Sequence, residues 1–189
     1  ITDRLVALSR ALIGRIRGGL AQVNVLVSMF FAGMNGSVVA DTATVGALVL
    51  PAMKKAGYPA AFSAAVTGVS STIGGIIPPS IMMIVLANST EISIAALFAA
   101  GIIPGILIGV VIMIINHYFA IKYNFERSDE PFSIRRAGKE LYRSSFALLI
   151  PLVLVGSVMG GVASVVEAGA ITAMVALLTG VFVYRTIKW

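Results

Sequence analysis

The sequence predicts an all-α polytopic membrane protein, and three observations lead to that fold class. Hydrophobic residues make up 58% of the chain and charged residues only 12%. In a soluble domain, about half of the residues are hydrophobic and about a quarter are charged. The charges are clustered, so that long uncharged segments alternate with short polar ones. Two of these segments carry glycine or proline near their middles, which predicts a re-entrant helical hairpin and a broken transmembrane helix.

The basic residues indicate which segments face the cytoplasm. All fourteen lysines and arginines fall into four groups: Arg4, Arg10, Arg15 and Arg17; Lys54 and Lys55; Lys122, Arg127, Arg135, Arg136, Lys139 and Arg143; Arg185 and Lys188. Because basic residues collect on the cytoplasmic side of a bilayer, the simplest topology places every group there. Each intervening segment must then cross an even number of times, or enter and return. With its basic residues so placed, the net charge of +6 indicates a membrane surface rather than nucleic acid.

Residues 18–53 are predicted to form the re-entrant hairpin. Asp41 is the only charged residue in this segment. A single helix over the segment would measure about 54 Å, whereas the hydrocarbon core of a bilayer is about 30 Å thick. The run GMNGS, residues 33–37, lies near the middle and favours a turn. Irregular backbone is not tolerated in lipid, so we expect this tip to be buried in protein or to line a wet cavity.

Residues 56–90 are predicted to form a transmembrane helix broken near its middle. The run GGIIPPS, residues 74–80, contains two successive prolines, which remove two backbone donors and restrict the preceding residue. Two half-helices joined by an unwound stretch fit this pattern. A second crossing follows over residues 92–122, with a kink expected at Pro104.

The remaining segments are assigned from charge and apolar spacing. Residues 1–17 combine apolar residues at helical spacing with arginines, which predicts an amphipathic helix on the membrane surface or against other helices. Residues 123–143 are predicted to be a cytoplasmic linker, partly helical. Residues 144–189 contain two further transmembrane helices, and Glu167 between them either faces outer water or caps the second one.

A hairpin tip beside a broken helix can bind ions and carboxylates largely through its backbone. Helix N-termini attract anions, whereas unwound carbonyls and helix C-termini attract Na⁺. The candidate substrate- and ion-binding residues are Asn35, Gly36, Ser37, Asp41, Thr72, Gly74, Gly75, Pro78, Pro79 and Ser80, and the Na⁺ ligands among them are Ser37, Thr72 and Gly75. Ser70 and Ser71 add hydroxyl groups just before the break.

Each of these features also has a simpler interpretation. Small residues allow close helix packing, and the Gly101/Gly105 pair is expected to do only that. The glycines and serine of the tip have the same alternative. Asp41 either caps the second arm of the hairpin or holds an ion.

Several runs in order resemble the large membrane subunit of TRAP-type carboxylate transporters, the DctM-like family. They are GGL at 18–20, NVL at 24–26, SMFFAG at 28–33, GSVVAD at 36–41, PAMKK at 51–55, SSTIG at 70–74, IPPS at 77–80 and LFAAGIIPG at 97–105. The resemblance covers nearly the whole chain. One departure lies at the tip, where the family often has Ser-Gly-Ser and Asn35 replaces the first serine, keeping an oxygen through its amide.

The resemblance implies half of an inverted-repeat, elevator-type transporter in the bacterial inner membrane, in which a transport domain slides against a scaffold. The chain would be a fragment that covers part of the first repeat and the start of the second. The implied coupling ion is Na⁺, and the implied substrate is a small carboxylate such as a dicarboxylate or a sialic acid. The implied partners are a small TRAP membrane subunit and a periplasmic substrate-binding protein, with membrane lipid around them.

Two other classes of membrane protein stay open on the residues alone. One is a divalent-anion/Na⁺ symporter of another elevator family that acts without a binding protein, and the other is a channel or a scaffold. The composition excludes a soluble enzyme. The sequence has no cysteine, one histidine and no nucleophile–base pair or phosphate loop, so we expect no enzyme activity, no organic cofactor and no nucleic-acid partner.

Overall fold

The protein is an all-α bundle, as predicted. A computed structural model describes residues 2–13, 16–125 and 133–184, and within them the chain forms eight α-helices. They are α1 (Thr2–Ile13), α2 (Gly19–Asn35), α3 (Val38–Lys55), α4 (Ala60–Ser71), α5 (Ile81–Thr90), α6 (Ile94–Lys122), α7 (Ile134–Met159) and α8 (Val165–Leu178). Of the predicted features, Arg15, Arg127, Arg185, Lys188 and residues 126–132 and 185–189 lie outside the described residues.

Helices α2 and α3 form an antiparallel hairpin whose two free ends lie together. Gly18 precedes α2 and packs so closely on Ala120 that a Cβ at Gly18 would overlap that side chain. Tyr58 follows α3, and its ring centroid is 4.6 Å from that of Phe125. Ala120 and Phe125 both belong to the C-terminal end of α6 and the residues just after it. The two free ends of the hairpin therefore lie at the same end of the bundle.

Helices α4 and α5 are the two halves of the broken helix. Helix α4 ends at Ser71, and a 3₁₀ turn, Thr72–Gly75, leads into an irregular stretch that includes a cis peptide bond between Pro78 and Pro79. Ser80 starts the second half, because its Oγ accepts a hydrogen bond from the Met83 N–H (3.3 Å) and donates one to the Gly75 carbonyl (2.8 Å). The double proline thus separates two helices, as the sequence predicted.

Among the described residues, three helical segments are long and apolar enough to cross a membrane: Ile94–Lys122, Ile134–Met159 and Val165–Val183, the last being α8 and a π-helical turn after it. Helix α6 is continuous through Pro104. Helix α7 begins at Ile134, so residues 134–143 of the predicted linker are its first turns; no glycine or proline interrupts residues 139–150.

Helix α8 begins with a reciprocal cap. The Glu167 carboxylate accepts hydrogen bonds from the Ser164 N–H (2.8 Å) and hydroxyl (2.7 Å), while the Ser164 Oγ accepts one from the Glu167 N–H. This arrangement satisfies two N–H groups at the helix start. Glu167 therefore caps α8, and its side chain is exposed as well.

Helix α1 lies against α2 and α7 and braces them. Leu5 and Leu8 are buried, and the Ser144 hydroxyl donates to the Arg4 carbonyl at 3.1 Å. The helix is shorter than the predicted segment 1–17, and Leu12 and Ile16, expected on its apolar face, are about 40% exposed. Ala11 and Ile13 in its last turn are also buried, so both ends of the helix contribute to the core.

The hydrophobic core joins the hairpin to the first half of the broken helix. Its buried side chains come from α1, α2, α3, α6, α7 and the α4–break region, with Val25, Met53 and Ile73 fully enclosed. Helices α2, α3 and α4 all contact one another. This packing fixes the height of the hairpin tip relative to the break.

Candidate functional site

The hairpin tip is a two-residue turn between helices. Gly36 adopts a left-handed conformation with φ of 58°, which ends α2 as a glycine C-cap commonly does. Its N–H donates to the Ala32 carbonyl at 3.2 Å. Ser37 then caps α3, since its Oγ accepts from the Ala40 N–H (3.4 Å), and its own N–H donates to Asn35 Oδ1 (3.2 Å).

The tip lies directly against the break in α4–α5. The Ile81 N–H donates to the Gly36 carbonyl at 3.2 Å. A Cβ at Gly36 would overlap the Pro79 carbonyl oxygen and lie 3.1 Å from Ser80 Cα. Gly74 faces the backbone of Ser37, where a Cβ would lie in ordinary contact at 3.7 Å. The close backbone approach of tip and break therefore requires glycine at position 36 but not at position 74.

Four helix ends converge at this contact. Helices α2 and α4 end here, while α3 and α5 begin here. Each N-terminus carries partial positive charge from unpaired N–H groups and each C-terminus carries partial negative charge from carbonyl groups. The region therefore offers adjacent environments for a carboxylate and for a cation.

Asp41 is the charged residue of this site. Its side chain is fully buried, and within the described residues no group meets the geometry of a hydrogen bond to either carboxylate oxygen, although two serine hydroxyl groups lie close enough to favour its charged form. The hydroxyl groups of Ser71 and Ser28 lie beside it, and Ser71 Oγ, also fully buried, has no partner among the described residues either. Asp41 does not cap α3, contrary to one of its two predicted roles, because Ser37 occupies the cap position four residues earlier.

The structure brings the predicted site residues into one region, but their oxygens differ in whether they already have a hydrogen-bond partner. Thr72 is exposed and its hydroxyl donates to the Val69 carbonyl at 2.7 Å. The Gly75 carbonyl accepts from Ser80, and Ser37 Oγ accepts from a backbone N–H. The three predicted Na⁺ ligands each have a hydrogen bond already. Among the described residues, buried side-chain oxygens without one belong to Asp41 and Ser71 at this site, and to Ser9 on α1 and Gln22 near the start of α2.

Three polar residues on α2 and α4 were not predicted as part of this site. Asn24, Ser28 and Thr67 are buried between α2 and α4, below the tip. Asn24 and Ser28 are four residues apart in an otherwise apolar helix, and Thr67 is three residues before Ser70. Polar residues repeated at helical spacing in an apolar segment mark a face that packs on protein rather than lipid, and this signal was available in the sequence.

The arrangement defines a class of protein. A hairpin tip against a broken helix, with a buried carboxylate behind it and three helices able to span a bilayer, is the construction of a membrane transport protein.

The chain belongs to the DctM family of TRAP transporters. It matches the family described as "Tripartite ATP-independent periplasmic transporter, DctM component" over residues 1–189. It is 35% identical over 188 residues to the C4-dicarboxylate TRAP transporter large permease protein DctM of Pseudomonas aeruginosa, covering 100% of this chain and 44% of that protein. It is 37% identical over 186 residues to the sialic acid TRAP transporter permease protein SiaT of Haemophilus influenzae, covering 98% and 30%.

A third relative is the 2,3-diketo-L-gulonate TRAP transporter large permease protein YiaN of Escherichia coli, 36% identical over 185 residues, with 98% of this chain and 43% of that protein covered. The chain thus spans less than half the length of these curated relatives. Membership places it among multi-pass proteins of the bacterial inner membrane and in a family of transporter permeases, not enzymes. Membership in this family also decides against the divalent-anion symporter family that the residues alone left open.

Proposed function

We propose that this chain forms part of the large membrane subunit of a Na⁺-coupled importer of small carboxylates. In this proposal the substrate arrives on a periplasmic binding protein, and a small TRAP membrane subunit completes the membrane complex. Relatives named for C4-dicarboxylates and sialic acid support a carboxylate substrate. The hairpin dips into the bilayer and returns, and it moves with the broken helix as part of an elevator.

The single observation that carries the proposal is the unpartnered carboxylate of Asp41 behind the junction of tip and break. An ionised carboxylate enclosed in protein without a partner is strongly unfavourable, so a cation beside it would offset that cost. Carboxylate and hydroxyl oxygens are ligands suited to a hard cation. Ser71, the last residue of α4, supplies a second unpartnered oxygen.

The carboxylate of the substrate fits the partial positive charge of the helix N-termini at the same junction. Helices α3 and α5 both begin there, and their first turns carry no acidic side chain exposed at the tip, since Asp41 is buried. Their N–H groups provide positive potential for an anion. Cation and carboxylate would therefore bind as neighbours, and their mutual attraction is the physical basis of coupling.

The test is uptake into proteoliposomes that contain the full-length membrane protein, the small subunit and the binding protein. A labelled C4-dicarboxylate or sialic acid is supplied with an inward Na⁺ gradient or with choline in its place. We expect uptake only with the Na⁺ gradient and only with the binding protein. Uptake that ignores the gradient would refute Na⁺ coupling, and uptake of free substrate without the binding protein would refute the tripartite assignment.

Asp41→Asn tests the cation site directly, because it removes the charge and almost preserves the volume. We expect the Na⁺ concentration for half-maximal uptake to rise about 100-fold, which corresponds to roughly 3 kcal/mol, as for loss of one partner from a buried charge pair. Glu167→Gln is the matched control, since it neutralises an exposed cap on α8. Equal Na⁺ dependence in both variants would contradict the site.

A further inference from the structure

A line of buried polar side chains runs between α2 and α4 beneath the tip. Asn24, Ser28 and Ser70 are fully buried, and Thr67 is 2% exposed. Burying amide and hydroxyl groups is unfavourable unless they are hydrogen-bonded. All four are hydrogen-bonded here, mostly to one another, so the line is a satisfied network and not a packing defect.

Asn24 is the centre of this network. Its Nδ2 donates to Thr67 Oγ1 at 2.7 Å. Its Oδ1 lies 3.5 Å from Ser70 Oγ, whose one proton also has the Thr67 carbonyl as an acceptor at 3.1 Å. The two ends of one amide thus face two positions on α4 that are three residues apart. Ser70 Oγ also pairs with Ser28 Oγ at 3.1 Å, one turn along α2. These contacts fix both the rotation and the axial register of α4 against α2.

The network ends at Asp41. Ser28, its last member on α2, and Ser71, which directly follows Ser70 on α4, are the two hydroxyl groups beside that carboxylate. A change of register between α2 and α4 would therefore move one hydroxyl relative to the other and to Asp41. Asn24 is not one of the side chains beside the carboxylate, which are those of Ser28 and Ser71.

We infer that Asn24 is a positioning residue for the Asp41 site, acting through Thr67, Ser70 and Ser28 to hold Ser28 and Ser71 at the carboxylate. This role rests on the proposed function, because it concerns the cation held by that site. Groups that orient metal ligands typically contribute about 10- to 100-fold to affinity. Loss of the amide should therefore weaken Na⁺ binding while the tip, the break and the carboxylate remain in place.

The experiment measures the Na⁺ dependence of uptake in the full-length transporter for Asn24→Ala. We expect the half-saturating Na⁺ concentration to rise about tenfold, with maximal uptake at saturating Na⁺ largely retained, because a positioning residue alters affinity more than turnover. Thr67→Val and Thr67→Ser form a second pair. Valine keeps the shape and removes the hydroxyl, so it should reproduce the shift, whereas serine keeps the hydroxyl and should restore native Na⁺ dependence.

Asn116→Ala is the matched control. Asn116 is also a buried asparagine on a helix that contacts α2, and its Nδ2 donates to the Ala21 carbonyl at 3.5 Å, but it bonds none of the network residues. It should lower thermal stability without shifting the Na⁺ dependence. A native Na⁺ response in Asn24→Ala and Thr67→Val, or an equal shift in Asn116→Ala, would overturn the positioning role alone. If uptake by the native protein ignored Na⁺, the proposed function would fall as well.

Discussion

Gly36→Ala separates the two physical demands placed on the hairpin tip. The residue adopts φ of +58°, so any side chain there is strained by about 1 kcal/mol or more. In addition, the new Cβ would overlap the Pro79 carbonyl oxygen and crowd Ser80, both backbone groups that cannot rotate away. The tip must therefore move off the break.

The magnitude follows from what that movement breaks. The hydrogen bond from the Ile81 N–H to the Gly36 carbonyl is lost, which costs about 1 kcal/mol net. This cost corresponds to about a fivefold change in the equilibrium constant for contact between the tip and the break. Loss of the backbone contact between the tip and the break adds to this free-energy cost. We expect the half-saturating Na⁺ concentration for uptake to rise at least about fivefold, measured in proteoliposomes.

Gly57→Ala is the control for this prediction. Gly57 also has a positive φ, 78°, but a Cβ there would meet no atom within 4 Å. It therefore carries the backbone strain without the overlap, and should lower thermal stability while leaving Na⁺ dependence native. If Gly36→Ala and Gly57→Ala behaved alike, the close approach of tip and break would not matter for function and the reasoning would be refuted.

Two further substitutions test how the structure is held. Gly101→Ala would place a Cβ on the Ile76 carbonyl oxygen in the break and should destabilise the protein by about 1–3 kcal/mol, seen as a lower melting temperature in detergent. Gly156→Ala is the control, because a Cβ there would meet no atom within 4 Å and should not be destabilising. Equal melting temperatures for the two variants would contradict the packing of α6 on the break. Ser164→Ala removes the cap of α8 and should cost about 1 kcal/mol. Ser89→Ala, which loses only a hydrogen bond to its own helix, is its control, and a Ser164→Ala protein as stable as that control would count against the cap.

The positions at which the helices break and turn follow from single residues in the sequence. Pro78 and Pro79 interrupt the 56–90 segment because proline lacks an N–H, and Gly36 turns the hairpin because it tolerates a positive φ. These are local properties of single residues. The grouping of basic residues likewise predicted that Arg17 and Lys54, which flank α2 and α3, would lie at one end of the bundle.

Which side-chain oxygens lack a hydrogen-bond partner depends on how the helices pack. Asp41 meets Ser28 and Ser71, which are 13 residues before it and 30 after it, and no local pattern sets that register. Thr72, an equally plausible ligand in the sequence, instead turns its hydroxyl to its own helix. The direction of a side chain on a helix is useful only relative to the neighbouring helices, and their packing is fixed by the buried polar network and core between α2 and α4.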